Sequence, residues 1–346
     1  MPVIDMSPID PVSDVTTTTT LLHEVIPLTG TIISGTYGTF PDENNIKNYT
    51  HGMFQSVYDY PYLSSSANHI FDITAGYDEE SDYSGSTSVQ NTKKINLYNQ
   101  FAQLLLGYTS STADTIRKFE SDLNLDGVGT MNEVFFLSFS RLLTKDQIKR
   151  NSFTIAVGTG SYDNAMQKIV TLTDSQASYG TDGGVGSSNG GDYGVLYTSG
   201  NEAHGVVFYQ AGIVVLSASV FADVTDFNTS GTNAVAATLT GSSISGACDA
   251  LRHRIQNISY NNTTEINSTI YFCRVPHNKF NYSSNPTYVS GSKIRVKNVA
   301  SDNPVSYITT IGLYNTIGEL LAVAKLSEPL KKSPTNDITI RVRLDY

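Results

Sequence analysis

Apolar and polar positions change period along this chain. Between Lys93 and Tyr108, Ile95, Tyr98, Phe101, Ala102, Leu105 and Leu106 recur every three or four residues. That spacing predicts an amphipathic helix, closed by Gly107. A Ser-Thr start and Asp114 in the first turn predict a second, short helix over Ser111–Ser121. From Asn132 onward the pattern becomes that of strands. Val134–Phe139, Phe153–Val157, Lys168–Leu172, Tyr193–Tyr197, Gly205–Tyr209 and Gly212–Leu216 are short apolar runs between turn residues. Thr198–Glu202 reads as a hairpin tip, and Gly180–Gly191 as a mobile loop of Gly, Ser and Asp. Ala218–Ser243 is weakly patterned, and Gly246–Asn257 has room for a short helix carrying Leu251 and Ile255. Strands follow at Ser268–Val275, Lys293–Val299, Tyr307–Tyr314, Leu320–Leu326 and Ile338–Leu344. In the last, Ile338, Ile340, Val342 and Leu344 alternate with Thr339, Arg341 and Arg343, which gives one core face and one polar face.

The first part of the chain is different. Residues 1–30 are punctuated by Pro2, Pro8, Pro11 and Pro27, and Thr16–Thr20 has no core-forming period. Such a segment buries too little apolar surface to fold alone, so it reads as an extended arm that orders against a partner, or as a plain disordered terminus. Residues 31–92 read as irregular and rich in Tyr, Ser and Gly. The aromatic stretch His51–Leu63, broken by Gly52 and Pro61, suggests an anchor surface or packing beneath a loop. The expected fold is mainly β, a sandwich-like β domain, with one or two helices in the N-terminal half and an extended N-terminal arm. The expected division is 1–30 arm, 31–131 mixed irregular and helical segment, and 132–346 β-rich domain.

Composition narrows the classes. Only 16% of the 346 residues are charged, so surface polarity must come from Ser, Thr, Asn and Gly, which suit strands and turns. The 21 Tyr and 14 Phe are strand formers and also good contact residues. A net charge of −10 makes a nucleic-acid surface improbable. No segment has the run of apolar residues that a membrane helix needs, and the first residues carry no basic residue of the kind that opens a secretory signal. Cys248 and Cys273 have no paired spacing around either, which argues against a zinc site.

One local motif carries candidate chemistry. In Asp122–Glu133, Asp122, Asn124 and Asp126 stand at positions 1, 3 and 5 of a calcium-loop template, Gly127 at 6 and Glu133 at 12. Alternating short oxygen side chains closed by a bidentate Glu are what calcium requires. Against this, Gly129 occupies a position that is normally apolar, no second loop exists, and a strand pattern follows where an exit helix is expected. The same residues also fit a turn that breaks helix into strand. The six histidines are scattered and no nucleophile elbow, phosphate loop or paired metal motif is present, so no catalytic residue and no other cofactor is expected.

The stretch Ile308-Thr-Thr-Ile-Gly-Leu-Tyr-Asn315 followed by Gly318-Glu-Leu-Leu-Ala-Val-Ala324 resembles the baseplate-attachment region of phage tail fibres. His51–Tyr62, Asn132–Leu143, Phe208–Gly212 and Ile340–Tyr346 resemble uncharacterised virion proteins of contractile-tailed phages, including cyanophages. The fibre-like motif lies near the C-terminus, and no fibre repeat follows it. The resemblance implies a structural, non-enzymatic component of a tailed-phage virion, in the tail or baseplate. Its partners would be other virion proteins and copies of itself. A head, neck or capsid-decoration protein and a host-glycan binding module are the alternatives.

Overall fold

The computed structural model describes residues 8–34, 38–40, 42–85, 89–109, 115–124, 126–177, 186–228, 234–241, 243–283, 289–290, 293–294, 299, 301 and 303–346. The chain forms two compact units. A terminal unit joins Met1–Leu21 to Glu265–Tyr346, and a central unit holds Leu22–Thr264. As expected, the fold is mainly β with few helices.

Strand β1 (Val15–Thr29) begins in the terminal unit and ends in the central one. The central unit then adds α1 (Gly30–Ser34), β2 (Ile46–Asn48), β3 (Gln55–Tyr58), β4 (His69–Tyr77), α2 (Val89–Leu105), β5 (Glu133–Phe139), α3 (Arg141–Thr144) and β6 (Gln147–Ile148). It continues with β7 (Thr154–Gly158), β8 (Ile169–Thr173), β9 (Gly186–Ser188), β10 (Gly191–Tyr197), β11 (Ala203–Phe208), β12 (Ile213–Ser217), α4 (Val235–Thr240) and α5 (Ile244–Arg254). Strand β13 (Ile255–Val275) returns the chain to the terminal unit. Within the central unit the sheet runs β13-β7-β8-β10-β11-β12-β5-β4-β3-β2, paired antiparallel.

The apolar runs of the middle strands have a direct cause. On β5, Phe135, Leu137 and Phe139 enter one core while Val134 and Phe136 enter another. On β12, Val214 and Leu216 separate from Ile213 and Val215 in the same way. Both faces are therefore dry, and a strand buried on both faces reads as a continuous apolar run rather than as an alternation. Helix α2 closes one core with Tyr98, Ala102 and Leu105. Helix α5 contributes Ala247, Cys248 and Leu251 to the other. Gly76 on β4 permits the close approach of α2, because a Cβ there would lie 2.8 Å from the Lys94 carbonyl oxygen and 3.1 Å from the Tyr98 nitrogen.

The long helix stands where its period placed it, and Gly107 ends it at φ +75°, donating to the Ala102 carbonyl at 3.1 Å. The second expected helix is corrected: residues 111–114 lie outside the described residues, and 115–121 are not helical. Ile116 bridges Tyr108 and Glu120 bridges Thr130, in β fashion. The expected irregularity of residues 31–92 is also corrected, because β2, β3 and β4 lie within it. There Val57, Phe71, Ile73 and Ala75 are buried at strand spacing, a pattern obscured by the Tyr- and Ser-rich stretch between them. Between α5 and the expected strand at Ser268 no break occurs, and β13 starts at Ile255 directly. Its Asn and Thr residues hide the strand because the ladder satisfies them: Asn262 and Thr263 are buried, with the Asn262 side-chain amide donating to the Leu143 carbonyl at 2.9 Å. Much of the expected loop 180–191 and of the expected strand 293–299 lies outside the described residues.

In the terminal unit, β13 pairs antiparallel with β18 (Ile338–Asp345), from Ser268↔Asp345 to Val275↔Ile338. Ile340 and Val342 are buried and Arg341 and Arg343 exposed, as their alternation predicts. At the other edge of β13, the Phe272 N–H donates to the Asp14 carbonyl at 2.8 Å and Arg274 pairs with Asp14 at 2.6 Å. This is how the expected arm is held in extended form: its side chains stay largely exposed while its backbone finds a strand. Two short strands, β14 (Val289–Ser290) and β15 (Lys293–Ile294), pair with each other, as do β16 (Ser306–Tyr314) and β17 (Leu320–Lys332).

Candidate interaction surface

The most unusual surface in the terminal unit is the β16–β17 hairpin. Both strands are rich in apolar residues, Tyr307, Ile308, Ile311, Leu313 and Tyr314 on one and the run Leu320–Ala324 on the other, a content that normally marks a strand with a core to face. Yet among the described residues these two strands form a sheet of their own. Ile317 is 82% exposed, Leu321 68% and Tyr307 59%, and Tyr314, Leu320, Val323 and Leu330 are exposed as well. An isolated two-stranded hairpin is marginal in water, and clustered exposed apolar side chains mark a site that another molecule covers.

The hairpin is well built at both ends. At its tip, Asn315 Oδ1 accepts from the N–H groups of Ile317 at 3.1 Å and Glu319 at 2.8 Å, while its amide donates to the Glu319 carboxylate at 2.7 Å. Gly318 supplies the φ of +86° that the turn needs. At its base, Ser306 pairs with Lys332, and the Ser306 hydroxyl donates to the Phe280 carbonyl. The Lys332 ammonium is fully buried. It donates to the His277 carbonyl at 3.2 Å, to Asn281 Oδ1 at 2.8 Å and to the Ser333 carbonyl at 2.8 Å. Three oxygens match its three N–H donors, which offsets the cost of removing the cation from water. A tied tip and a tied base hold the apolar strands in shape without covering them.

The aromatic segment His51–Leu63 divides. Gln55, Ser56 and Val57 are buried in β3, whereas Tyr60, Tyr62 and Leu63 are exposed on the loop that follows. Asp59 shapes that loop by accepting from the Asn68 backbone at 2.6 Å and its side chain at 2.8 Å. Only the end of this stretch has the character of an anchor surface.

The calcium-loop residues are brought together in part. Asn124 donates its amide to Asp122 at 3.1 Å and Asp126 at 3.2 Å, and its Oδ1 accepts from the Asp126 N–H at 3.1 Å. Glu133 is directed elsewhere: it opens β5 and accepts from the Ser81 hydroxyl. Glu120, which the template does not include, reaches into the turn instead and accepts from the Gly127 N–H at 2.9 Å. Leu125 lies outside the described residues. Among the described residues, no group of three or more His, Cys, Asp or Glu side chains is placed to hold a metal ion.

Buried ionisable groups elsewhere serve the framework. Asp174 accepts from the N–H groups of Asn151 at 2.8 Å and Phe153 at 2.9 Å and from the Tyr209 hydroxyl at 2.9 Å, and burial raises its pKa. Burial also pushes the Cys248 thiol up, leaving an inert core residue. Among the described residues, the nearest approach to a nucleophile arrangement is Ser219 Oγ at 2.9 Å from His204 Nδ1. Glu202, 3.7 Å from the other ring nitrogen, is beyond hydrogen-bond reach. Sequence reasoning missed Lys332 as the anchor of the hairpin, since a Lys-Lys pair reads as a solvated charge. Its only sequence signal is its place at the end of an apolar strand.

No protein-family model, curated protein or solved structure matches the chain.

Proposed function

We propose that this protein is a non-enzymatic structural component of a tailed-phage virion, placed in the tail or baseplate and held there by neighbouring subunits. The observation that carries the reading is the β16–β17 hairpin. The residues that resemble the tail-fibre attachment motif, Ile308–Asn315 and Gly318–Ala324, include Tyr314, Leu320, Leu321 and Val323, whose side chains are exposed, on a strand pair that among the described residues forms a sheet of its own. Exposed apolar side chains on a two-stranded hairpin favour a partner that covers them. The exposed side chains of β1, among them Leu21, and the low charge of the chain support assembly as well.

The test is incorporation. A phage carrying the chain with residues 307–331 replaced by a short Gly-Ser link should produce folded protein that is missing from purified virions. Normal incorporation of that variant would contradict the proposal.

A further inference from the structure

Charge is spread unevenly along this chain. Residues 265–346 hold ten of its 22 Lys and Arg but only six of its 32 Asp and Glu. With Met1–Leu21 they make up the terminal unit, which is therefore close to neutral, while the central unit holds nearly all of the net negative charge. In the terminal unit, three arginines gather on one face of the β13–β18 pair. Directly opposed residues of an antiparallel pair have their side chains on the same face, so Ile270↔Arg343, Phe272↔Arg341 and Arg274↔Thr339 share a side. Tyr271↔Val342 and Cys273↔Ile340 occupy the other, where Val342 and Ile340 are buried.

The arginine face is built rather than loose. Arg343 Nε donates to the Asp345 carboxylate at 2.7 Å and its Nη2 to the Ser268 hydroxyl at 3.0 Å, which fixes the guanidinium and leaves Nη1 uncommitted. Arg274 is held by Asp14 at 2.6 Å. Between them Arg341 is exposed and makes no hydrogen bond or ion pair among the described residues. Ile270 and Phe272 beside it are only partly buried. Two tethered arginines thus flank one without a partner, and the tethered ones have little freedom left to lose when an anion arrives. Arg341 and Arg343 lie two residues apart on a strand, about 6–7 Å. Carboxylates at alternate positions of a second extended chain have the same spacing.

We propose that this face docks an acidic segment of a neighbouring protein, an extended chain with Asp or Glu at alternate positions whose carboxylates meet Arg341 and Arg343. It rests on the structural reading above and deepens it by giving the chemistry of one partner. Charge complementarity calls for an anion, since an unpaired guanidinium matches a carboxylate two N–H groups to two oxygens. Two features favour a protein over a nucleic acid. Phosphate binding draws on several unpaired cations, whereas here one arginine is unpaired and Asp345 stands beside Arg343 to repel a row of phosphates. Ile270 and Phe272 also offer apolar contact of the kind that the side chains between alternate acids use.

The test uses the purified full chain and a fluorescent peptide of alternating Glu and Thr, with binding read by anisotropy at low salt. That peptide should bind about tenfold more tightly than its counterpart with Gln in place of Glu, and Arg341→Gln should weaken it about tenfold. Lys168→Gln removes the same charge from an exposed position of the central unit and should leave binding unchanged. An oligothymidylate of equal length should bind more weakly than the Glu peptide. Circular dichroism confirms that each variant is folded. A chain that binds neither peptide or both alike, is indifferent to Arg341→Gln, loses as much through Lys168→Gln, or prefers the oligothymidylate would overturn the inference. None of those outcomes bears on incorporation through the β16–β17 hairpin, which is measured separately on virions, so the two readings fail independently.

Discussion

Arg252 and Glu43 form an ion pair at 3.3 Å in which neither side chain is exposed to solvent. The guanidinium also donates to the Ile33 carbonyl at 2.7 Å, to Asp249 at 2.8 Å and to Gln55 at 3.3 Å. Helix α5, the turn before β2, strand β3 and helix α1 thus meet on one cation. Removing one member of such a set leaves its partners charged or unpaired in a dry site. Arg252→Leu is expected to lower unfolding free energy by about 3–5 kcal/mol, read as a lower urea midpoint. A change below about 1 kcal/mol would mean that water reaches the site.

Gly76 gives a sharper packing test. A methyl group there must displace the backbone of α2 at Lys94 and Tyr98. Gly76→Ala should destabilise the central unit by about 1–3 kcal/mol, with the loss appearing in thermal unfolding. An unchanged midpoint would show that α2 can move away from β4 at no cost.

Lys94 predicts a pH dependence. Its ammonium is fully buried and donates to the carbonyls of Leu239 and of Gly241, the latter at 2.8 Å. Burial lowers its pKa from 10.5 to about 8. Between those values the unfolded chain binds more protons than the folded one, so this group's contribution to stability rises as pH rises from about 8 to 10.5 and is level below about 8. Lys94→Met should remove that rise. The comparison is the difference in unfolding free energy between the two proteins across this window, and a constant difference would contradict the burial of the charge.

The Asp122–Asp126 turn predicts no response to calcium. Its side chains satisfy one another, and Glu133 is held by Ser81. Added calcium should leave the melting temperature unchanged. A rise that Asp122→Ala abolishes would show that Glu133 leaves Ser81 to close a metal shell.

Element type was legible wherever one period dominated. The three- and four-residue spacing of Ile95 to Leu106 gave α2, and the runs at Val134 and Ile213 gave central strands. What failed was sequence whose stabilisation is polar or remote. Strand β3 is held by Gln55 and Ser56 as much as by Val57, and the middle of β13 by Asn262 and Thr263, so neither shows a strand period. The strand bridges of 115–121 follow from contacts with Tyr108 and Thr130, while the local Ser-Thr-Ala-Asp composition favours a helix start. The hairpin of the candidate surface was legible as two strands. Its exposure was not, because an apolar strand that meets a core and one that meets solvent or a partner read alike in sequence. Lys332 illustrates the remaining gap: only tertiary placement of His277, Asn281 and Ser333 distinguishes a buried anchor from a surface charge.

The central claim, that the chain is a structural part of a virion, is tested most directly by mass spectrometry of purified phage particles separated into heads and tails. The account predicts abundant peptides of this chain in the tail fraction, at a copy number above one. Absence of the chain from both fractions would contradict it.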